Sequence, residues 1–96
     1  MKFFISQPMR GKTTEQIKLE RQEVIETLQK QGHEVINSIF TDSAPEEKDA
    51  LHYLSLAVNA MSEADAVYFM KGWSAARSCK VEHFVALVYG KEALYQ

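Results

Sequence analysis

One carboxylate stands apart in the last quarter of the chain. Between Ala64 and Lys91, ADAVYFMKGWSAARSCKVEHFVALVYGK, an apolar run ends in a Gly72-Trp73 turn, and the helix that follows carries a single glutamate, Glu82, among apolar and small residues. That places Glu82 just beyond the carboxyl end of a buried strand, where open α/β sheets bind their ligands. Ser78, Cys79, Ala86 and Tyr89 neighbour it at one or two helical turns, a less polar strip than a free surface would carry. A carboxylate in such a place needs a donor, or its pKa rises through desolvation. Either arrangement suits a group that meets a sugar hydroxyl or attacks an electrophilic carbon. The plain competing reading is a helix glutamate facing solvent.

A second candidate is the loop Ser6-Gln7-Pro8-Met9-Arg10-Gly11-Lys12, between the first strand and a helix amino terminus. Backbone N–H groups and the helix dipole favour an anion there, and Arg10 and Lys12 can add charge-assisted bonds to a phosphate. The loop is neither a Walker loop nor a GxGxxG fingerprint, so an ordinary strand–helix turn explains it equally well. Gly72 and Trp73 stand at the mouth of the presumed crevice, Trp73 as a lid on the core or as a flat face for a base or ring. Arg77, about one helical turn on, meets a phosphate or faces solvent; Ser78 closes the same loop.

Other residue types are less eventful. Asp65 opens the third strand and is expected to hydrogen-bond nearby backbone. His33, His52 and His83 lack metal-ligand spacing, and His83 points about 100° around the helix from Glu82, so neither a metal nor a cofactor is expected. No Ser-His-Asp or Cys-His arrangement can be argued. Cys79 is the single cysteine; it cannot form an internal disulfide and reads as a buried thiol in a reducing cytoplasm.

The elements that must position these residues follow from periodicity and punctuation. Lys2 to Ser6 reads as a strand stopped by Gln7-Pro8. Thr13 and Gln16 have capping-box spacing, and Ile17, Val24, Ile25 and Leu28 share a helical face that Gly32 ends. His33 to Phe40 predicts a second strand, and Ser43-Ala44-Pro45-Glu46 a helix start. Leu51, Leu54, Val58 and Met61 form the next apolar stripe. Ala64 to Met70 predicts a central parallel strand covered on both faces. Ser74 to Tyr89 predicts a third helix with Val81, Phe84, Val85 and Val88 facing the core, and Glu92 to Tyr95 a short edge strand. The order β-α-β-α-β-α-β predicts an α/β, Rossmann-like or flavodoxin-like parallel sheet of about four strands, order 2-1-3-4, with helices on both faces. The loops Ser6 to Lys12 and Lys71 to Ser78 then converge on one crevice.

Composition bounds the partners. Ninety-six residues, 46% apolar and 25% charged, fit one soluble domain of residues 1–96, small enough to gain from burying a face in a homo-oligomer. A net charge of −2 argues against a nucleic-acid polymer or an acidic membrane as partner. No segment reaches the length needed to cross a bilayer, and the start lacks a signal-peptide pattern, so a cytoplasmic location is expected.

ISQPMRGK near the start, ADAVYFMKGW, and Glu82 followed eight residues later by Gly90-Lys91 resemble the nucleoside 2-deoxyribosyltransferase-like superfamily, in particular its small DUF4406 branch common in phages and prophages. The resemblance spans nearly the whole chain. It implies subunits that pair as a homodimer or higher homo-oligomer, and a crevice for a nucleoside or nucleotide. In catalytic relatives the glutamate matching Glu82 attacks the anomeric carbon of a 2-deoxyribosyl group, the base departs, and another base or water takes the sugar. Relatives acting on nucleoside monophosphates hold the 5′-phosphate with a loop that Arg10-Gly11 echoes.

Three departures bear on that chemistry. Where catalytic relatives carry an aspartate on the second helix, this chain reads Ser55-Leu56-Ala57-Val58-Asn59; a first-strand tyrosine is replaced by Phe3 or Phe4; and Arg77-Ser78-Cys79-Lys80 replaces a Gly-rich approach to the glutamate. General acid catalysis is worth roughly 10²–10⁴-fold. The reading is therefore an N-glycosidic bond-cleaving or 2-deoxyribosyl-transferring protein with Glu82 as nucleophile, or alternatively a non-catalytic binder that sequesters a nucleotide derivative or signal.

Overall fold

Alternation along the first strand decides which side chains meet which helices. In the computed structural model, which describes residues 1–36 and 50–96, β1 (Lys2–Ser6) sends Phe3 and Ile5 to one face of the sheet and Phe4 to the other. By the same period of two, Ser6 shares the face of Phe4. The chain continues through α1 (Thr14–Lys30), β2 (Glu34–Val35), α2 (Ala50–Met61), β3 (Ala66–Phe69), a 3₁₀ turn (Trp73–Ala75), α3 (Arg77–Val88) and β4 (Glu92–Tyr95). All strand pairings are parallel and the order is β2-β1-β3-β4. This is the α/β arrangement, Rossmann-like or flavodoxin-like, that the sequence predicts.

Right-handed crossovers then allot the helices. The connection from β1 to β2 runs one way along the sheet and the next two run the other way, so α1 lies on one face and α2 and α3 on the opposite one. The core divides accordingly. Phe3, Ile5, Val24, Leu28, Ala66 and Met70 pack under α1, while Phe4, Ala57, Met61, Val67, Phe69 and Ala86 pack under α2 and α3.

Helix α1 starts where its cap predicts: Thr13 Oγ1 accepts from the Gln16 backbone N–H at 3.1 Å, and Gln16 Oε1 accepts from the Thr13 N–H at 2.9 Å. It buries Ile17, Val24 and Leu28, with Ile25 only half-buried and Arg21 taking the remaining inward position. Gly32 follows at φ 88°, the left-handed conformation that suits glycine past a helix end. β2 is short, and residues 37–40 of the expected strand, with the Ser43-Ala44-Pro45-Glu46 helix start, lie outside the described residues.

Two apolar stripes are corrected. In α2 the inward residues are Ala57 and Met61, with Leu54 and Val58 half-buried and Leu51 exposed. In α3 the buried residues are Cys79, Glu82 and Ala86, whereas Val81, Phe84 and Val88, expected in the core, are exposed and Val85 is half-buried. The cause is space. Phe4 and Phe69 already fill the sheet face beneath α3, and a helix seated on large aromatics approaches with small residues. Hydrophobicity alone points the stripe the wrong way.

Candidate functional site

Ser6 is the last residue of β1, paired in register with Phe69 of β3, and its carbonyl accepts from the Met70 N–H at 2.9 Å. The sheet therefore fixes Ser6 at its carboxyl edge. From α3 above it, Glu82 turns inward between Cys79 and Ala86, and Ser6 Oγ donates to Glu82 Oε1 at 2.5 Å. Ser6 is 1% exposed and Glu82 6%. Among the described residues Ser6 is the only hydrogen-bond donor to this carboxylate.

Burial pushes the Glu82 carboxyl up to about 7, against the opposing pull of the Ser6 hydroxyl, which favours the charged form. Desolvation also raises the neighbouring Cys79 thiol, to about 11; hydrogen bonds from Ser6 and Ser78 oppose the rise and the Glu82 charge adds to it. Cys79 is thus a neutral thiol at any physiological pH, and the group poised to gain or lose a proton is Glu82. A carboxyl that titrates near neutrality in a dry setting is suited to proton transfer or to attack on carbon.

The two loops do converge. A β-carbon at Gly72 would stand 3.6 Å from Pro8 Cγ, so the β1–α1 and β3–α3 connections touch over the sheet edge. Gly72 has φ 91°, and this left-handed turn allows Trp73 to start the 3₁₀ segment directly after the strand. Gln7 is buried beneath α1: its Nε2 donates to the Ile17 carbonyl at 2.8 Å, and its Oε1 has no partner among the described residues. Pro8 and Met9 are half-buried, Arg10 and Gly11 are exposed at the tip, and Gly11 has φ 79°. Lys12 is engaged elsewhere, its Nζ lying 2.9 and 3.1 Å from the Glu20 carboxylate oxygens. Of the two cations of this loop expected to meet a phosphate, Arg10 is the one left at the tip.

Trp73 caps the core. Its ring lies 4.2 Å from that of His83 and 5.4 Å from that of Phe69, with Tyr95 stacked against Phe69, and His83 Nε2 hydrogen-bonds the Tyr95 hydroxyl at 2.6 Å. Both readings of this tryptophan survive, since it is only half-buried. Arg77 and Ser78 are exposed. Arg77 sits about 140° around α3 from Glu82, so it belongs to the helix's outer side and not to the buried strip.

A family model matches residues 1–95. The chain belongs to the DUF4406 family. That family is described as a domain of unknown function, so membership sets no chemistry. No curated protein and no solved structure matches the chain.

Within this DUF4406 domain, two features escape sequence reading. Arg21 is 1% exposed, with its guanidinium Nη2 3.4 Å from the Ile36 carbonyl and its pKa lowered to about 10 by burial. The signal was its place, four residues after Ile17 and three before Val24, on the buried stripe. The second is Ser6 as the donor to Glu82, for which strand alternation was the available clue. Lys91, from the Gly-Lys ending, plays a structural part, its Nζ donating to the Ala64 carbonyl at 2.7 Å. Asp65 accepts from the Lys2 N–H at 2.9 Å, the backbone role expected of it.

Two surface depressions lie away from Glu82. One, of about 380 Å³, is lined by Met1, Lys2, Gly32, Glu34, Glu63 and Asp65, at the amino ends of the strands. The other, of about 130 Å³, lies between α1 and the sheet at Tyr68 and Gln96. Among the described residues no group of three or more His, Cys, Asp or Glu side chains is placed to hold a metal ion.

Proposed function

We propose that this protein cleaves the N-glycosidic bond of a nucleoside or nucleoside 5′-monophosphate, or transfers its 2-deoxyribosyl group, with Glu82 as the nucleophile. The observation that carries the reading is the buried Ser6–Glu82 pair at the carboxyl edge of β1, 2.5 Å apart, at the sheet edge where the two loops meet. Glu82 attacks the anomeric carbon as the carbon–nitrogen bond breaks; the bonding electrons leave with the base nitrogen, which takes a proton from water. A second base or a water then attacks the same carbon, and the glutamate ester is released as carboxylate. Splitting one hard substitution into two is the logic of retaining glycoside hydrolysis.

Ser6 serves as a positioning residue. Its hydroxyl holds Oε1, fixes the plane of the carboxylate and favours its charged form, which is the form that attacks. Arg10 and the amide groups near Gly11 receive a 5′-phosphate, and the open part of Trp73 offers a face to the base.

Sequestration of a nucleotide derivative without turnover is the second reading. It is favoured by α2, Ala50–Met61, which carries no Asp or Glu where catalytic members of the resembling superfamily place an aspartate. Base release from a panel of nucleosides and monophosphates, followed chromatographically, separates the two. Turnover that disappears in Glu82→Ala supports the glycosidic reading. Tight binding with the ligand recovered unchanged supports sequestration, and turnover undiminished in Glu82→Ala removes Glu82 from the mechanism.

A further inference from the structure

Three residues lie abreast at the carboxyl edge of the sheet. Ser6 of β1 pairs in register with Phe69 of β3, and Phe69 with Tyr95 of β4. Their side chains share the face under α3, where Ser6 meets Glu82 and the Tyr95 ring stacks on Phe69. Adjacent residues of α3 bond to the two ends of this row. Glu82 accepts from the Ser6 hydroxyl at 2.5 Å, and His83 Nε2 hydrogen-bonds the Tyr95 hydroxyl at 2.6 Å. Neighbouring strands lie about 4.8 Å apart, so the two anchors are separated by about 10 Å, with the apolar ring of Phe69 between them. The imidazole also lies 4.2 Å from the Trp73 ring, the one offered to the base.

We infer that His83 is the general acid of the reaction, giving a proton to the departing base while Glu82 holds the sugar. The inference rests on the glycosidic reading above. It supplies what α2 lacks, since that helix carries no Asp or Glu.

Elimination and geometry agree on this residue. The Cys79 thiol beside Glu82 is held at about 11, too weak an acid to serve at neutral pH. Lys12 is paired with Glu20, and a guanidinium such as that of Arg10 does not give up its proton. Imidazole is the side chain enzymes use most often for this task. Nε2 of His83 is taken by Tyr95, and Nδ1 bonds to nothing among the described residues. The Tyr95 hydroxyl accepts from Nε2–H when the ring is charged and donates to Nε2 when it is neutral, so one partner holds the ring through a whole cycle. An imidazolium there lies within cation–π reach of the indole. His83 and Trp73 are both half-buried, so a base against the open part of the indole has the imidazole beside it. As Glu82 bonds to the anomeric carbon and the carbon–nitrogen bond breaks, the electron pair leaving with the base takes the Nδ1 proton, and His83 becomes neutral. A water then attacks the same carbon and His83 takes its proton, which frees Glu82 as carboxylate and restores the imidazolium. The proton thus comes from water by way of His83, acid first and base second, as in retaining glycoside hydrolysis.

A leaving group that needs no proton separates this role from packing. 7-Methyl-2′-deoxyguanosine 5′-monophosphate carries a positive base that departs neutral, whereas the base of the unmethylated monophosphate leaves as an anion unless it is protonated. Base release from both is followed chromatographically for wild type, His83→Gln and Glu82→Gln, with spontaneous release subtracted. His83→Gln should slow the unmethylated substrate by roughly 10²-fold or more and the methylated one by less than about threefold, and Glu82→Gln should abolish release from both. Equal slowing of both substrates by His83→Gln, which a merely structural role would give, overturns the inference and leaves the glycosidic reading standing. So does release unaltered in His83→Gln. Release undiminished in Glu82→Gln, or none from the wild type, removes the reading itself and the inference with it.

Discussion

Replacing Glu82 with glutamine should make the protein more stable at alkaline pH, and the size of the gain follows from burial. In the folded state the carboxyl is pushed from 4.5 to about 7. Below the lower value the group is protonated whether the chain is folded or not, and its burial carries no ionisation cost. As pH rises from there to about 7, the unfolded chain releases the proton and the folded chain keeps it, so stability is lost with rising pH; above about 7 the loss levels off. Each unit is 1.36 kcal/mol, which puts the full penalty at about 3 kcal/mol and the part lost between about pH 5 and pH 8 at about 2–3 kcal/mol. Glutamine keeps an oxygen for the Ser6 hydroxyl and has no proton to lose. Urea unfolding of both proteins at the two pH values measures the difference, and titrating groups common to both cancel in it. The gap between variant and wild type should widen by about 2–3 kcal/mol from about pH 5 to pH 8, in favour of the variant. A gap that stays constant, or that widens in favour of the wild type, would show that Glu82 is not desolvated and would remove the basis for its reactivity.

Three further outcomes follow. Ser6→Ala removes the one hydrogen bond that favours the charged carboxylate, so its pKa rises further and the acid limb of the pH–rate profile moves to higher pH; turnover at neutral pH falls by up to roughly tenfold and recovers in alkaline buffer. Cys79, 1% exposed with its thiol raised to about 11, should resist alkylation in the native protein and react only once urea unfolds the chain, as mass spectrometry will read. Thr13→Ala removes the Oγ1 that accepts from the Gln16 N–H, while the Thr13 backbone N–H keeps its bond to Gln16 Oε1, and should cost about 1 kcal/mol in chemical denaturation, with the site unchanged.

The sheet order, the start and end of α1 and the meeting of the two loops were legible because each rests on local signals: Pro8 after a β-rich run, Thr13 with Gln16, glycines at Gly32 and Gly72; α3, expected from Ser74, begins only at Arg77 after a 3₁₀ turn. The face of α3 was not. Its buried strip is Cys79, Glu82 and Ala86, a set that reads as polar or small, while the more hydrophobic Val81, Phe84 and Val88 turn outward. Periodicity finds the stripe of a helix, but packing against Phe4 and Phe69 decides which stripe goes in. The same limit hid Arg21, which takes an inward position on the Ile17–Val24 stripe that its residue type does not announce. Glu82 was found because it was the odd residue on a small-residue strip, and that oddness is the trace of the site in the sequence. Lys12 shows what spacing does not reveal: a cation in a promising loop pairs with Glu20 of α1.

The most direct examination of the nucleophile is to look for the ester it would form. The protein is mixed with a 2′-deoxynucleoside 5′-monophosphate, quenched in acid within the turnover time, digested and analysed by mass spectrometry. A deoxyribosyl-phosphate adduct on the peptide that contains Glu82, lost in Glu82→Gln, is the predicted result. Base release accompanied by an adduct on any other residue, or by no adduct under conditions where the ester would accumulate, contradicts the account.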